Sequence, residues 1–112
     1  MVLFDPSITT WSPTATFPPA FPAWASHLLI VQDDAVPCHD FRAKVQATVE
    51  ERPDSLVALF LAGAPARSAR LAVQAHRRGE TWIRMEPRDW TPTVALVWPR
   101  EIAVRFLAYV EA

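Results

Sequence analysis

The chain has 112 residues, of which 51% are hydrophobic and 21% charged, so it is long enough for one compact domain with a single core. Its formal net charge of -1 excludes the basic excess with which dedicated nucleic-acid binders neutralise phosphates. No apolar run approaches the roughly 18 residues that a membrane span needs. The first residues lack the pattern of a secretion signal. We therefore expect a cytoplasmic protein with neither a membrane nor a nucleic acid as partner.

Residues 1–23 are rich in proline and aromatic side chains. Prolines at positions 6, 13, 18, 19 and 22 alternate with Trp11, Phe17 and Phe21. Proline blocks regular structure, while exposed aromatic rings need an apolar surface to cover them. We predict an arm without regular structure that lies on a surface, with a flexible tail as the alternative. Residues 24–112 are predicted to form a single α/β domain.

The first regular elements follow this arm. The run His27–Val31 is apolar, contains β-branched residues and stops at polar ones, which is typical of a strand that is buried on both faces. Asp40 is predicted to cap a helix that carries apolar residues at every fourth position from Phe41 to Val49. Pro53 prevents the extension of this helix.

A second strand and a second helix come next. Residues 55–61 form another continuous apolar run of strand length that ends at a glycine. The pattern then predicts a helix over residues 66–78, which Pro65 can open and Gly79 ends. Four arginines at positions 67, 70, 77 and 78 make this helix basic, and we interpret them as a solvated face rather than as a phosphate site.

Two further strands and a helix complete the sequence pattern. Residues 81–85 and 93–98 are predicted strands, and Pro99 begins a last helix whose apolar residues share one face. Continuous apolar strands that alternate with amphipathic helices favour an α/β fold. We expect a single mixed, mostly parallel sheet of about four strands, covered by three helices. The last two strands are the ones that could pair antiparallel.

The residues with the clearest chemical potential are Gln32, Asp33 and Asp34, directly after the first predicted core strand. Ligands of open α/β sheets bind beyond the carboxyl ends of strands. Two adjacent carboxylates are costly to hold together unless water, donors or a cation balances them. Mg or Mn, held by one or two carboxylates and completed by diphosphate oxygens, fits such a position. A solvated turn is the simpler interpretation.

The stretch HLLIVQDDAVPCHDF, followed by a helix and by SLVALFL, resembles the metal-binding segment of GT-A glycosyltransferases, in particular bacterial and phage forms with a strand ending in E-D-D or Q-D-D. Trp82, Trp90 and the run TVALVWPREIAVRFL are similar to the later part of those domains. The resemblance covers roughly residues 24–112 and implies a partial GT-A-like fold. The preceding half, which grips the nucleotide base in that family, has no counterpart here.

This resemblance implies roles for particular residues. Asp34 is the expected metal ligand, Asp33 is expected to contact the metal and the donor sugar or ribose, and Gln32 belongs to the cofactor-binding set. Asp89, with Glu86 behind it, is the candidate catalytic base for the acceptor hydroxyl. The implied reaction is metal-dependent transfer of a sugar from a sugar nucleotide to an acceptor.

The alternative function is a non-catalytic structural or assembly protein, which could be phage-encoded and belong to a virion. Such a protein retains a GT-A-like scaffold and docks on a protein partner, or on a second copy, through residues 1–23. Trp82 and Trp98 are predicted core residues, whereas Trp11, Trp24 and Trp90 are candidates for partner or ligand contact. Cys38 is predicted to be a semi-buried thiol without a catalytic role.

Overall fold

Three helices and five strands make up the computed structural model, which describes residues 2–4, 11–13, 22–61, 66–89 and 93–111, the first two ranges by their backbone alone. The helices are α1 (Phe41–Glu51), α2 (Arg67–Arg77) and α3 (Arg100–Glu111). The strands are β1 (Val2–Phe4), β2 (Trp11–Pro13), β3 (His27–Val31), β4 (Val57–Ala58) and β5 (Ala95–Pro99).

The strands form one sheet in the order β2-β1-β3-β5-β4, and every neighbouring pair is antiparallel. Its centre is the three-stranded unit β3-β5-β4, which the two short strands β1 and β2 extend beyond β3. The prediction of a mostly parallel sheet is therefore wrong. The reason lies in β5, which is inserted between β3 and β4. These two strands run in the same direction, but neither contacts the other through backbone hydrogen bonds.

Alternation along β3 and β5 creates a core on each face of the sheet. Leu29 pairs with Val97, and both pack with Val45 and Val49 of α1 and with Val57 of β4. Successive strand residues point to opposite faces. The neighbours of Leu29 and Val97 therefore belong to the other cluster, made by Leu28 and Ala25 with Ile30 and Trp98 packed against them. The helix α3 covers this second face, where the rings of Trp98 and Phe106 lie 5.2 Å apart.

The helices agree with the sequence pattern, but their caps differ in part. Asp40 is the N-cap residue of α1, as predicted, but it has φ 57° and ψ 28° and makes no capping hydrogen bond through its side chain. Its left-handed backbone leads the chain from the preceding turn into α1. Gly79 follows α2 with φ 74°, a conformation that a residue without a Cβ adopts at low cost. The predicted stop at Gly79 is confirmed.

Several predicted strands are shorter or absent. Residues 81–85 form no strand, so this prediction is wrong; Trp82 nevertheless packs partly buried against the α1-side core. The predicted strand 55–61 is reduced to Val57–Ala58, and the last strand occupies Ala95–Pro99. Residues 2–4 and 11–13 are strands of the main sheet, so the prediction of an arm without regular structure is wrong there. The remaining positions of that arm before residue 22 lie outside the described residues.

Candidate functional site

The Gln32-Asp33-Asp34 motif lies where the sequence predicts it, in the chain segment that follows β3. The backbone N–H of Gln32 donates to the carbonyl of Val94, 2.9 Å away, and the N–H of Ala35 donates to the carbonyl of Gln32 at 3.1 Å. These bonds close a turn around the two aspartates, whose side chains are exposed. The amide nitrogen of Gln32 also donates to Thr93 Oγ1 at 3.2 Å. This hydrogen bond links the residue after β3 to the segment just before β5.

The geometry of this turn gives a divalent cation two carboxylates at most. Within the described parts of the chain, no group of three or more histidine, cysteine, aspartate or glutamate side chains is positioned to hold a metal. Mg²⁺ and Mn²⁺ bound through only one or two carboxylates need further oxygens from a bound diphosphate. The motif alone therefore does not form a complete cation site, and the predicted metal roles of Asp34 and Asp33 stay predictions.

Asp89 lies in an ion-pair network with the start of α2. Its Oδ2 accepts a 2.6 Å hydrogen bond from Arg67 Nη1 and a 2.7 Å bond from the backbone N–H of Glu86. Arg67 also reaches Glu86 at 3.3 Å, and Glu86 pairs with Arg88 at 2.7 Å. Only 4% of the Asp89 side chain is exposed. The network fixes the loop after residue 85 to the first turn of α2.

The surroundings of Asp89 make it a weak base. The N–H of Glu86 lowers the pKa of the Asp89 carboxyl below its ordinary value; burial opposes this effect, and the Arg67 guanidinium adds to the lowering. A catalytic base works best with a pKa near the working pH and with access to the proton it removes. The contacts of Asp89 therefore favour a structural role, and no hydrogen bond or ion pair among the described residues joins it to Asp33 or Asp34.

The other candidate side chains also have definite positions. Cys38 is exposed, so its prediction as a semi-buried thiol is wrong; Lys44 Nζ lies 3.7 Å from its sulfur. Trp82 and Trp98 are partly buried against the two cores, as predicted. Trp24 is 39% exposed, whereas the side chains of Trp11 and Trp90 lie outside the described residues.

The feature that the sequence did not indicate is an open groove beside β4, with a volume of about 1180 Å³. The groove is lined by Arg52, by residues 55–59 with Leu61, by residues 79–85, and by three side chains of α2. We call this the β4 groove. Its lining is mainly apolar: Leu56, Val57, Ala58, Leu59, Leu61, Ala72, Ala75, Trp82, Ile83 and Met85.

The outer edge of β4 lines this groove, and no described strand pairs with it. The N–H of Leu59 donates to the carbonyl of Ala95 at 3.0 Å, and Val57 and Ala58 are registered opposite Val97 and Leu96. In an antiparallel pair, backbone groups alternate between facing the partner and facing away. Val57 and Leu59 therefore bond to β5, while the N–H and C=O of Ala58 face outward. Among the described residues, no backbone bond reaches Ala58 from that side.

The rim of the β4 groove carries positive charge. Arg52 lies over the ring of Trp82, with its guanidinium carbon 5.6 Å from the ring centroid. Arg84 also lines the groove and makes no ion pair with another described residue. The lining carboxylate Glu80 is neutralised by Arg78 through bonds of 3.1 and 3.2 Å. Because Glu80 is paired with Arg78, Arg52 and Arg84 give the described lining of the groove a net positive charge.

Comparisons of the chain with protein-family models, with curated proteins and with solved structures find no match. The GT-A resemblance thus stays a prediction that no relative supports. No helix in the described part of the chain is long and apolar enough to span a membrane.

The sequence patterns could not indicate the β4 groove. Residues 81–85 were predicted as a strand, and the structure has no strand there. The edge position of β4 depends on the sheet order, which single-sequence patterns do not report.

Proposed function

We propose that this protein is a non-catalytic assembly protein that binds a partner protein through the β4 groove. The observation that carries the proposal is the outward-facing backbone of Ala58 in an apolar groove. An exposed strand edge is a template for pairing with another chain, and proteins normally shorten, charge or cover such edges. Addition of a partner strand to a sheet edge is a common mode of peptide recognition.

The surface around β4 supports this assignment. Leu56, Phe60 and Leu61 are exposed by 44%, 50% and 39%, so large apolar side chains flank the edge strand on both sides. Clustered exposed apolar residues at a rim of polar ones mark interaction sites more often than chance exposure does. The Asp89 carboxylate is held by Arg67, and this contact favours a structural role of Asp89 over that of a catalytic base.

The test uses a blocked hexapeptide of alternating valine and threonine, which has strand propensity and no charge. Amide chemical shifts of the full-length protein are followed during titration. We expect perturbations centred on Ala58 and Phe60, and slowed hydrogen exchange at these amides. The matched variants are Ala58→Pro and Arg77→Gln. Proline at Ala58 removes the outward N–H while keeping the bonds of its neighbours to β5, and Arg77 is an exposed residue of α2 outside the groove.

Binding that survives Ala58→Pro unchanged, or shifts that map away from the groove, would refute the proposed docking mode. A loss of binding in Ala58→Pro supports it when the variant retains the wild-type pattern of shifts in β3 and α1. Retention of that pattern shows that the sheet is intact.

One observation still favours the enzyme hypothesis: Gln32, Asp33 and Asp34 directly follow β3, where the sequence placed them. Metal-dependent sugar transfer predicts that a sugar nucleotide binds with Mn²⁺ and that Asp34→Ala abolishes this binding. Calorimetric titration with UDP- and GDP-sugars, with and without Mn²⁺, measures it directly. Binding that Asp34→Ala leaves undiminished would remove the metal role of the motif.

A further inference from the structure

We propose that the partner segment of the β4 groove is an acidic extended peptide, with Asp or Glu side chains at alternate positions and apolar side chains between them. This inference rests on the proposed function and adds the chemistry of the partner. It concerns a segment of another protein that pairs with β4 as an additional strand.

The length of the β4 edge sets the length of the segment. Residues 55–59 line the groove, and within them Val57–Ala58 form β4. A strand rises about 3.4 Å per residue, so a segment of five residues covers roughly 17 Å along the β4 edge. Alternate side chains of an added strand point to opposite faces of the sheet. We assign the apolar side chains of the segment to one set and its carboxylates to the other.

The positive charge of the groove lining favours an acidic segment as the partner. Arg52 and Arg84 both line the groove, and neither has a carboxylate partner among the described residues. The one lining carboxylate, Glu80, is already paired with Arg78. Guanidinium groups bind carboxylates with two parallel hydrogen bonds. An acidic segment thus gains charge-assisted bonds that an uncharged segment lacks.

The same charges disfavour a second copy of this chain as the occupant. Edge-to-edge pairing of two β4 strands is isologous, so each copy would add its own residues 55–61 to the edge of the other. These residues carry no carboxylate. A second copy would therefore leave Arg52 and Arg84 without the charged partner that an acidic segment supplies.

The experiment compares three blocked hexapeptides on the full-length protein: alternating valine and threonine, alternating valine and glutamate, and alternating valine and lysine. Isothermal titration measures affinity at about 0.02 M and 0.5 M salt, where the screening length falls from more than 20 Å to less than 5 Å. We expect the glutamate peptide to bind at least 10-fold tighter than the uncharged one at low salt, with most of this advantage lost at high salt. The lysine peptide should bind more weakly than either.

Three variants locate the effect. Arg52→Gln and Arg84→Gln keep polar side chains of similar length and should each reduce the advantage of the glutamate peptide at least threefold. Arg77→Gln changes the net charge by the same amount outside the groove and should leave the advantage unchanged.

The outcomes separate the two proposals. Equal binding of the glutamate and uncharged peptides at Ala58 overturns the charge inference and leaves the proposed function standing. Binding of none of the three peptides overturns both. A dimer in light scattering that Ala58→Pro dissociates identifies a second copy as the occupant and overturns the acidic-peptide inference.

Discussion

The two faces of the sheet are predicted to be energetically independent, which the neighbours Leu28 and Leu29 can test. Leu28 is fully buried on the α3 side, and Leu29 is 3% exposed on the α1 side, in one cluster with Val49. Truncation of a buried leucine to alanine costs about 2–5 kcal/mol, and we expect this cost for each leucine. Val49→Ala removes two methyl groups and should cost about 2 kcal/mol.

The informative quantity is the coupling of each leucine to Val49. Residues that share a cluster couple by about 0.5–3 kcal/mol, whereas residues without shared contacts are additive within about 0.5 kcal/mol. We therefore expect Leu29→Ala and Val49→Ala to be non-additive, and Leu28→Ala and Val49→Ala to be additive. The comparison is internally matched, because the same side chain is removed at adjacent positions of one strand.

Urea titration followed by far-ultraviolet circular dichroism gives the free energies of unfolding. The summed cost of a double variant approaches the 5–15 kcal/mol that typical domains possess, so the titrations are made in sodium sulfate, which stabilises folded states. Coupling of Leu28 to Val49 as strong as that of Leu29 would contradict the alternation in β3. Additivity in both pairs would contradict the packing of α1 on β3.

Three further predictions concern local contacts. Asp89→Asn should destabilise the protein at neutral pH, because the pKa of Asp89 is lowered in the fold; this contribution is fully present above the unfolded value of about 3.9 and is lost as the pH falls through the folded value. In urea titrations from pH 7 to pH 3, the difference in the free energy of unfolding between the variant and wild type should therefore shrink. A difference that stays constant would contradict the lowered pKa of Asp89. Gly79→Ala should cost about 1–2 kcal/mol in the same assay, because φ is 74° there and an added Cβ meets nothing within 4 Å, so strain alone acts; no loss of stability would refute the strain argument. Ser68→Ala should be neutral or stabilise by up to about 1 kcal/mol in thermal melts, because its buried hydroxyl makes no hydrogen bond with a described residue; a loss above about 1 kcal/mol would reveal a missed partner.

The sequence predicted the helices and β3 well, since these elements depend on local periodicity. Apolar residues at every fourth position placed α1 from Phe41 onward, and the apolar run of β3 ends at Val31 as expected. Burial on both faces was also inferred correctly, because helices do cover both sides of the sheet. The predicted parallel pairing of the strands was wrong. Burial on both faces depends on the covering helices and does not report whether neighbouring strands are parallel or antiparallel.

Two strands joined by a helix were expected to be parallel neighbours in the sheet, and this expectation was right about their direction but wrong about their pairing. The strands β3 and β4 do run in the same direction, as a connection through α1 suggests. The late strand β5 enters between them in the opposite direction. No pattern in residues 95–99 distinguishes an inserted central strand from an added outer one. Because the sheet order could not be predicted, the edge position of β4 and the groove beside it could not be predicted either.

The local structure around the candidate residues was predicted better than their long-range contacts. Gln32 was predicted at the end of a strand and lies there, but its amide contacts Thr93. Asp89 was predicted as a base in a loop, and the loop is present. Its partner Arg67 is 22 residues away in the sequence. Ion pairs between such distant residues cannot be predicted from the spacing of residues within one element.

The central position of β5 also determines when the sheet can form during synthesis of the chain. The strands β3 and β4 have no bond to each other, and each waits for residues 95–99. At about 5–20 residues per second, β3 is complete roughly 3–13 s before its central partner emerges. During that interval β1 is the only described strand that can pair with β3, and the other edge of β3 and both edges of β4 are exposed to other chains. Such delayed pairing slows folding and raises the risk of aggregation. Expression at lower temperature, or chaperone binding to nascent chains halted before residue 95, should therefore matter more for this protein than for a domain built from local hairpins.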